Sequence, residues 1–216
     1  MFPLGISGSV LPEYAQCPKC GAQPYLLQPL GNLATMLLVE RAKQELANGD
    51  ITVTILLCAI AVEGEMAYLF FKWKGIDSGI LPSSLTQGEP AGWEGEWKNM
   101  SSFRGQLDAL SKFLTSKTFD EFALQNKAWL MPALDGFDPA TSIKEYFQKR
   151  FYDTRIRVVH YGEIDFEEPD GELCFSLASA LLKLLHAMDM KRCQTMDEAH
   201  KKLNSQLPAA PSTRCV

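Results

Sequence analysis

Apolar residues recur at helical spacing along most of this chain, and no stretch alternates convincingly with period two. From Leu33 to Leu46 the positions Leu33, Met36, Leu37 and Leu46 fit one helix face, with Glu40 turned outward. Asn48-Gly49 stops that helix, because both residues tolerate the left-handed conformation that closes a turn. Asp50 is then placed to cap a second helix running to about Lys74, with Gly75 as its end. Its stripe of Val53, Leu56, Leu57, Ile60, Ala67 and Phe70 sets Glu63 among apolar neighbours. A third helix spans about Met100 to Leu114 on Phe103, Leu107, Leu110 and Leu114, and a short one lies around 119–126. The next helix has two candidate starts. Pro139 suits a first helical turn, and Ser142 with Glu145 stands at capping-box spacing. Its stripe Ile143, Phe147, Phe151, Val158 carries it to about His160, before Gly162. The last helix, about Glu172 to Met190, is apolar on most sides and is expected at the centre.

Between and around these helices the composition changes. Residues 1–30 are punctuated by Pro and Gly and are read as an irregular N-terminal segment. Residues 76–98, rich in Gly, Pro and Ser and holding Trp93 and Trp97, are read as a long loop. Residues 193–216, with Pro208 and Pro211, are read as a tail. A single all-helical bundle over 31–192 is the expected architecture, and no internal repeat is visible.

Charge and cysteine usage narrow the function classes. The net charge of −5 excludes bulk attraction to nucleic acid, so any such binding needs a local basic patch. The start, Met1-Phe2-Pro3-Leu4-Gly5, lacks the charged region and apolar run of a secretory signal. The apolar run Ile51 to Val62 is broken by Glu63 and Glu65, short of the ~20 residues of a membrane span, and reads as a buried helix. Cys17, Cys20, Cys58, Cys174, Cys193 and Cys215 are too scattered for a disulfide scaffold. Reduced thiols and a cytoplasmic location are expected.

The chemistry concentrates at Arg155-Ile156-Arg157-Val158-Val159-His160. Histidine exchanges protons near neutral pH, and a guanidinium fork matches phosphate oxygens. On an ideal helix Arg155 and His160 stand about 140° apart, so they share a face only if the helix end unwinds. The negative end of a helix repels a bare phosphate, so Arg155 or Arg157 would have to hold it. Lys149 and Arg150 extend a basic strip, and an acidic run from Glu163 to Glu172 follows it. The plain alternative is a surface histidine beside Tyr161 that caps carbonyls.

Three stretches add to that pattern: "ANGDITVTILLCAIAVEGEMAYLFF", then "SSFRGQLDALSKFL", then "YFQKRFYDTRIRVVHYGEI" leading into a closing apolar helix. Their order, with Arg-x4-His near the end, resembles the HEPN superfamily over about residues 33–190. The resemblance implies an antiparallel helical bundle. It also implies a metal-independent endoribonuclease of the toxin or antiviral defence-effector type, acting as a homodimer in whose cleft two Arg-His sets meet. By that resemblance Arg155 contacts the scissile phosphate of RNA and His160 moves a proton, leaving a 2′,3′-cyclic phosphate. Arg157, Arg150 and Lys149 would bind substrate. Glu63 and Glu65 are secondary candidates, of which Glu63 would orient an Arg or His, against the plainer reading of a structural ion pair or an exposed helix edge. An antitoxin or another defence-system protein is the further implied partner, and no membrane is. Two departures stand out. Ile156 takes the place of the polar residue, often Asn, that usually follows the arginine, and His160-Tyr161-Gly162 replaces His-Gly. They keep open the alternative of a non-catalytic nucleotide- or protein-binding scaffold.

Cys17-Pro18-Lys19-Cys20-Gly21 is half of a zinc knuckle, with Cys193 and His200 as candidates to complete four ligands of a structural zinc. No cofactor is expected for catalysis. Two free thiols are the plain alternative, and a zinc-knuckle regulatory protein with an assembly-mediating helical body is a third reading. Trp93 and Trp97 suit base stacking or partner docking, or they tuck the long loop onto the core. His186 is read as structural. There is no Gly-rich phosphate loop and no His-Glu-x-x-His.

Overall fold

A computed structural model describes residues 33–79, 92–100, 102–134 and 136–206. The expected N-terminal segment with Cys17 and Cys20 lies outside the described residues, as do 80–91 of the expected loop and 207–216 of the tail. Among the described residues the regular elements are helices and none is a strand.

The first two helices, α1 (Leu33–Ala47) and α2 (Ile51–Asp77), form an antiparallel hairpin. Gly49 closes it at a φ of 80°, where a side chain would be strained. The Asp50 carboxylate accepts the Val53 N–H at 3.2 Å, as a cap should. Next come α3 (Trp93–Asn99), α4 (Phe103–Thr115), α5 (Phe119–Gln125) and α6 (Lys127–Leu130), the last running into a 3₁₀ turn at Met131–Ala133. Then α7 (Ile143–Phe147), a π-helical turn (Gln148–Tyr152) and α8 (Asp153–Tyr161) form one rod. Of its two candidate starts the later is used: Ser142 Oγ accepts the Glu145 N–H at 3.1 Å, while Asp138 and Pro139 form a preceding turn.

The final helix, α9 (Glu168–Gln206), is far longer than expected and absorbs much of the anticipated tail. Cys193 and Met196 still pack on the core, which keeps the helix wound past Met190. It runs parallel to α2, with Ile51 beside Gly171 and hydrogen bonds between the free thiols of Cys58 and Cys174, from Trp73 to Asp189 and from Arg192 to Asp77. The approach is closest at Gly171, where a Cβ would lie 3.0 Å from the side chains of Ile51 and Leu46. α2 and α9 are each long and apolar enough to cross a bilayer by length and composition, yet their apolar residues supply much of the core.

Two face assignments are overturned. In α1, Leu33, Met36 and Leu37 are exposed, and Thr35, Ala42 and Glu45 are buried instead. The run Leu33–Val39 is apolar at all but Thr35, so its period selects no face. Contacts decide: Thr35 donates to Glu65 at 2.8 Å, and Thr54 reaches the Ala42 carbonyl at 3.4 Å. In α2, Ile60 points to solvent while Ile55, Cys58, Ala59, Val62, Met66 and Leu69 are buried. A helix apolar nearly all round hides its inner face from pattern reading. Part of the expected 76–98 loop is also helical, since α2 runs to Asp77 and α3 docks on it. Trp97 tucks against Phe70 with ring centroids 5.1 Å apart, and Lys74 bonds Glu96 at 2.8 Å.

Candidate functional site at the Arg155–His160 helix

The rod that carries the site gets its register from the π-helical turn. Ile143, Phe147 and Phe151 are spaced by four, so in a plain α-helix each step would drift about 40° from the last. A turn closed by i→i+5 bonds takes the extra residue, and all three side chains stay buried. Beyond it α8 is regular to Tyr161. Gly162, at φ 64°, ends it and returns its N–H to the Val158 carbonyl at 3.2 Å. The helix end therefore does not unwind before His160.

Arg155 is half-buried against α2. Its Nη2 donates to Glu63 Oε2 at 3.4 Å, and its guanidinium lies 5.6 Å over the Tyr152 ring. Tyr152 in turn stacks on Phe103 at 4.6 Å with the planes 7° apart. Burial pushes the Glu63 carboxyl above its ordinary range, and the Arg155 charge pulls it back only in part. Burial, and next the nearby Glu63 charge, push the Tyr152 phenol up as well. The structure thus brings Glu63 and Arg155 together through one long contact, leaving most of the guanidinium donors unspent.

His160 is exposed and makes no hydrogen bond or ion pair among the described residues. On this regular helix it stands about 140° around from Arg155, so the two do not converge within one chain. Arg157 is held in an exposed ion pair with the acidic loop. Its Nε donates to Glu163 Oε2 at 2.7 Å, its Nη2 meets Oε1, and its guanidinium covers Phe166 at 5.0 Å. The hydrogen bond from Arg157 holds the Glu163 carboxyl below its ordinary range. Arg157 therefore staples the helix end to the acidic loop. Arg150 and Lys149 are exposed, so the basic strip survives at these two residues and Arg155.

Apolar side chains surround this end. Tyr161 is 78% and Ile164 70% exposed, and Ile60 and Val159 are exposed nearby. Thr52 Oγ1 reaches the Ile164 carbonyl at 3.5 Å and draws the acidic loop onto the start of α2.

Two features, the Asp189 knot and a surface cleft, went unseen in the sequence, and the order of burial of Glu63 and Glu65 was not foreseen. Asp189 is buried and accepts from Lys72 Nζ at 2.8 Å and from Trp73 Nε1 at 2.7 Å, tying α9 to α2. Glu65, not Glu63, is the deeply buried glutamate of α2. A cleft of about 320 Å³ opens beside the π-helical turn between Ser102, Arg104, Glu145, Gln148, Lys149 and Asp153. Only the spacing of Glu145, Gln148 and Lys149 at i, i+3 and i+4 hinted at it.

Of the candidate zinc ligands, Cys193 of α9 is buried against the core, while the side chain of His200, like Cys17 and Cys20, lies outside the described ones. Among the described residues no three His, Cys, Asp or Glu side chains cluster as metal ligands. Compared with family models, with curated proteins and with solved structures, the chain finds no match.

Proposed function

We propose that this chain is a HEPN-like helical endoribonuclease that cuts RNA without a metal, using Arg155 of one copy and His160 of another. The observation that carries the reading is the unequal treatment of the two groups. Arg155 is oriented by Glu63 and Tyr152 with donors to spare, while His160, on the same regular helix, is unbonded and turned away. A reacting phosphate needs both, so the second must come from a neighbouring copy. The exposed Ile60, Val159, Tyr161 and Ile164 supply apolar contact for that neighbour.

In this reading His160 takes the proton from a ribose 2′-hydroxyl, whose oxygen bonds to the adjacent phosphorus. The bond from phosphorus to the 5′-oxygen breaks, and that oxygen takes a proton from water. The His160 imidazolium returns its proton to solvent, leaving a 2′,3′-cyclic phosphate and a 5′-hydroxyl end. Arg155 stabilises the charge that builds on the phosphoryl oxygens. Purified protein in EDTA tests this. Fragments with cyclic phosphate ends are expected from wild type, with losses on the order of 100-fold in Arg155→Ala and in His160→Ala. Mixing the two inactive variants should restore part of the activity, since one mixed dimer site then carries both intact groups.

A second reading is favoured by one observation: Arg157 is already spent on Glu163. In that case the chain is a non-catalytic nucleotide- or protein-binding scaffold. Intact RNA of several classes after incubation with a folded, dimeric protein would decide for it.

A further inference from the structure

The cleft beside the π-helical turn is linked to Arg155 by two aromatic contacts and the backbone of α4. Arg155 covers Tyr152, Tyr152 stacks on Phe103, and the residues flanking Phe103, Ser102 and Arg104, line the cleft. Across its mouth Arg104 Nη1 donates to Glu145 Oε1 at 3.1 Å, an exposed pair of the kind that contributes little and opens readily. Lys149, on the rim, has no partner among the described residues. At about 320 Å³ the cleft has room for a purine base.

We propose that this cleft is a base-recognition subsite for a guanine of the same RNA whose scissile phosphate Arg155 holds. It lies at some remove from that phosphate, because Asp153 of the cleft stands about 160° around α8 from Arg155. A carboxylate and a guanidinium side by side match the two adjacent edges of that base. Guanine alone offers two neighbouring donors, N1–H and the 2-amino group, to the two oxygens of Glu145. Next to them its O6 and N7 accept from the fork of Arg104. Adenine, cytosine and uracil each lack the paired donors. Lys149 then meets a phosphate of that nucleotide as a mobile point charge. The assignment of that guanine to the cleaved RNA rests on the ribonuclease reading, whereas the binding of guanine in the cleft does not.

Two measurements on the full chain separate the claims. In an NMR titration with GMP, AMP, CMP and UMP, GMP should bind at least tenfold tighter than the others and shift the amides of Ser102, Arg104 and Gln148. Glu145→Gln and Arg104→Ala, both on the surface, should abolish that preference while circular dichroism stays unchanged. Equal affinity for the four nucleotides, shifts confined to the separate groove at Trp129 and Phe175, or a preference that survives both variants would overturn the subsite. Mapping of RNA ends is the second measurement. Cleavage at a fixed offset from guanine that loses this dependence in Glu145→Gln supports it, and cleavage indifferent to guanine in wild type counts against it. GMP in the cleft with no RNA cut would sink the ribonuclease reading and leave the subsite standing.

Discussion

Toward the end of α2, Lys72 and Trp73 meet Asp189 in a buried knot where every contact is 2.8 Å or shorter. About two and a half turns earlier, Glu63 meets Arg155 through one contact of 3.4 Å, with both side chains partly open to water. The two sites share a chemistry, a carboxylate joined to a base between α2 and a later helix. They differ in saturation. The Asp189 carboxylate is taken up by an ammonium and an indole, with Arg192 stacked over the same Trp73 and paired to Asp77. The carboxylate has nothing left to offer a ligand, and of the surrounding groups the buried Arg192 Nε–H is left without a partner among the described residues. Arg155 keeps most of its five donors, and its neighbours are aromatic and apolar side chains reachable from solvent. Burial and saturation mark Asp189 as framework, and spare valence marks Arg155 as the place to look for chemistry.

The sharpest way to break this contrast is Asp189→Ala. It strands the Lys72 ammonium and the Trp73 N–H in the seam between α2 and α9 without an acceptor. Removing one partner of a buried pair costs about 3–5 kcal/mol, a large share of a domain's stability. Urea unfolding followed by tryptophan fluorescence should show that loss, with a smaller one in Asp189→Asn, which keeps an acceptor for the indole. If Asp189→Ala unfolds at nearly the wild-type midpoint, the knot is not framework and the distinction fails.

How much of this was visible beforehand depended on how each helix reads. α4 has a polar face and an apolar one, so Phe103, Leu107, Leu110 and Leu114 were assignable to the core from spacing alone. The rod from Ile143 to Tyr161 was legible for the same reason, including the stop at Gly162, while its cap at Ser142 was one of two candidate starts that spacing left open. Its π-helical turn was not, because the four-residue spacing fits an ordinary helix nearly as well. α1 and α2 failed where they are most apolar: Leu33 and Ile60 are as hydrophobic as any core residue, and only packing shows that they face out. Glu63 was picked out by its apolar neighbours, but Glu65 lies deeper, its partner Thr35 being thirty residues away in the sequence. Arg157 and Arg155 look alike in the chain. Only the fold shows that Glu163 occupies one and leaves the other with donors to spare.

Glu65 gives the next largest effect, and it is visible as a pH dependence. Burial pushes its carboxyl above the ordinary 4.5, with the Thr35 hydrogen bond opposing, Asp189 adding to the rise, and Lys72 and His186 countering it. A folded pKa above the unfolded one favours the protonated acid in the fold. That contribution is fully present below about pH 4.5 and is lost as pH rises through the folded value. Glu65→Gln, which keeps a hydrogen-bonding oxygen for Thr35 and never ionises, should therefore gain on wild type at neutral pH. The gain should shrink as pH falls toward 4.5 in paired unfolding curves. Asp108 supplies a control of opposite sign. Burial alone would raise it, but hydrogen bonds from Lys144 and from the Phe119 N–H outweigh that and hold it below its ordinary range. Its contribution is lost on acidification, so Asp108→Asn should cost stability at neutral pH and little at low pH.

Glu63→Gln should have the smallest effect on stability and the most telling one on function. The pair it disrupts is long and partly exposed, so the cost in unfolding free energy should stay under about 1 kcal/mol. Glutamine can still accept from Arg155, but without the charge it holds the guanidinium less firmly over Tyr152. A small misplacement of a group that stabilises a transition state costs on the order of ten- to a hundredfold in rate. RNA cleavage should fall by that much while the unfolding curve barely moves, and the fall should appear in kcat more than in KM, because the binding contacts of Lys149 remain. A Glu63→Gln protein that cleaves normally would show that Arg155 needs no orienting carboxylate, and Glu63 would then join Asp189 as framework. A protein that loses several kcal/mol would say the same by another route, since the pair would be holding α8 to α2 rather than aiming a guanidinium.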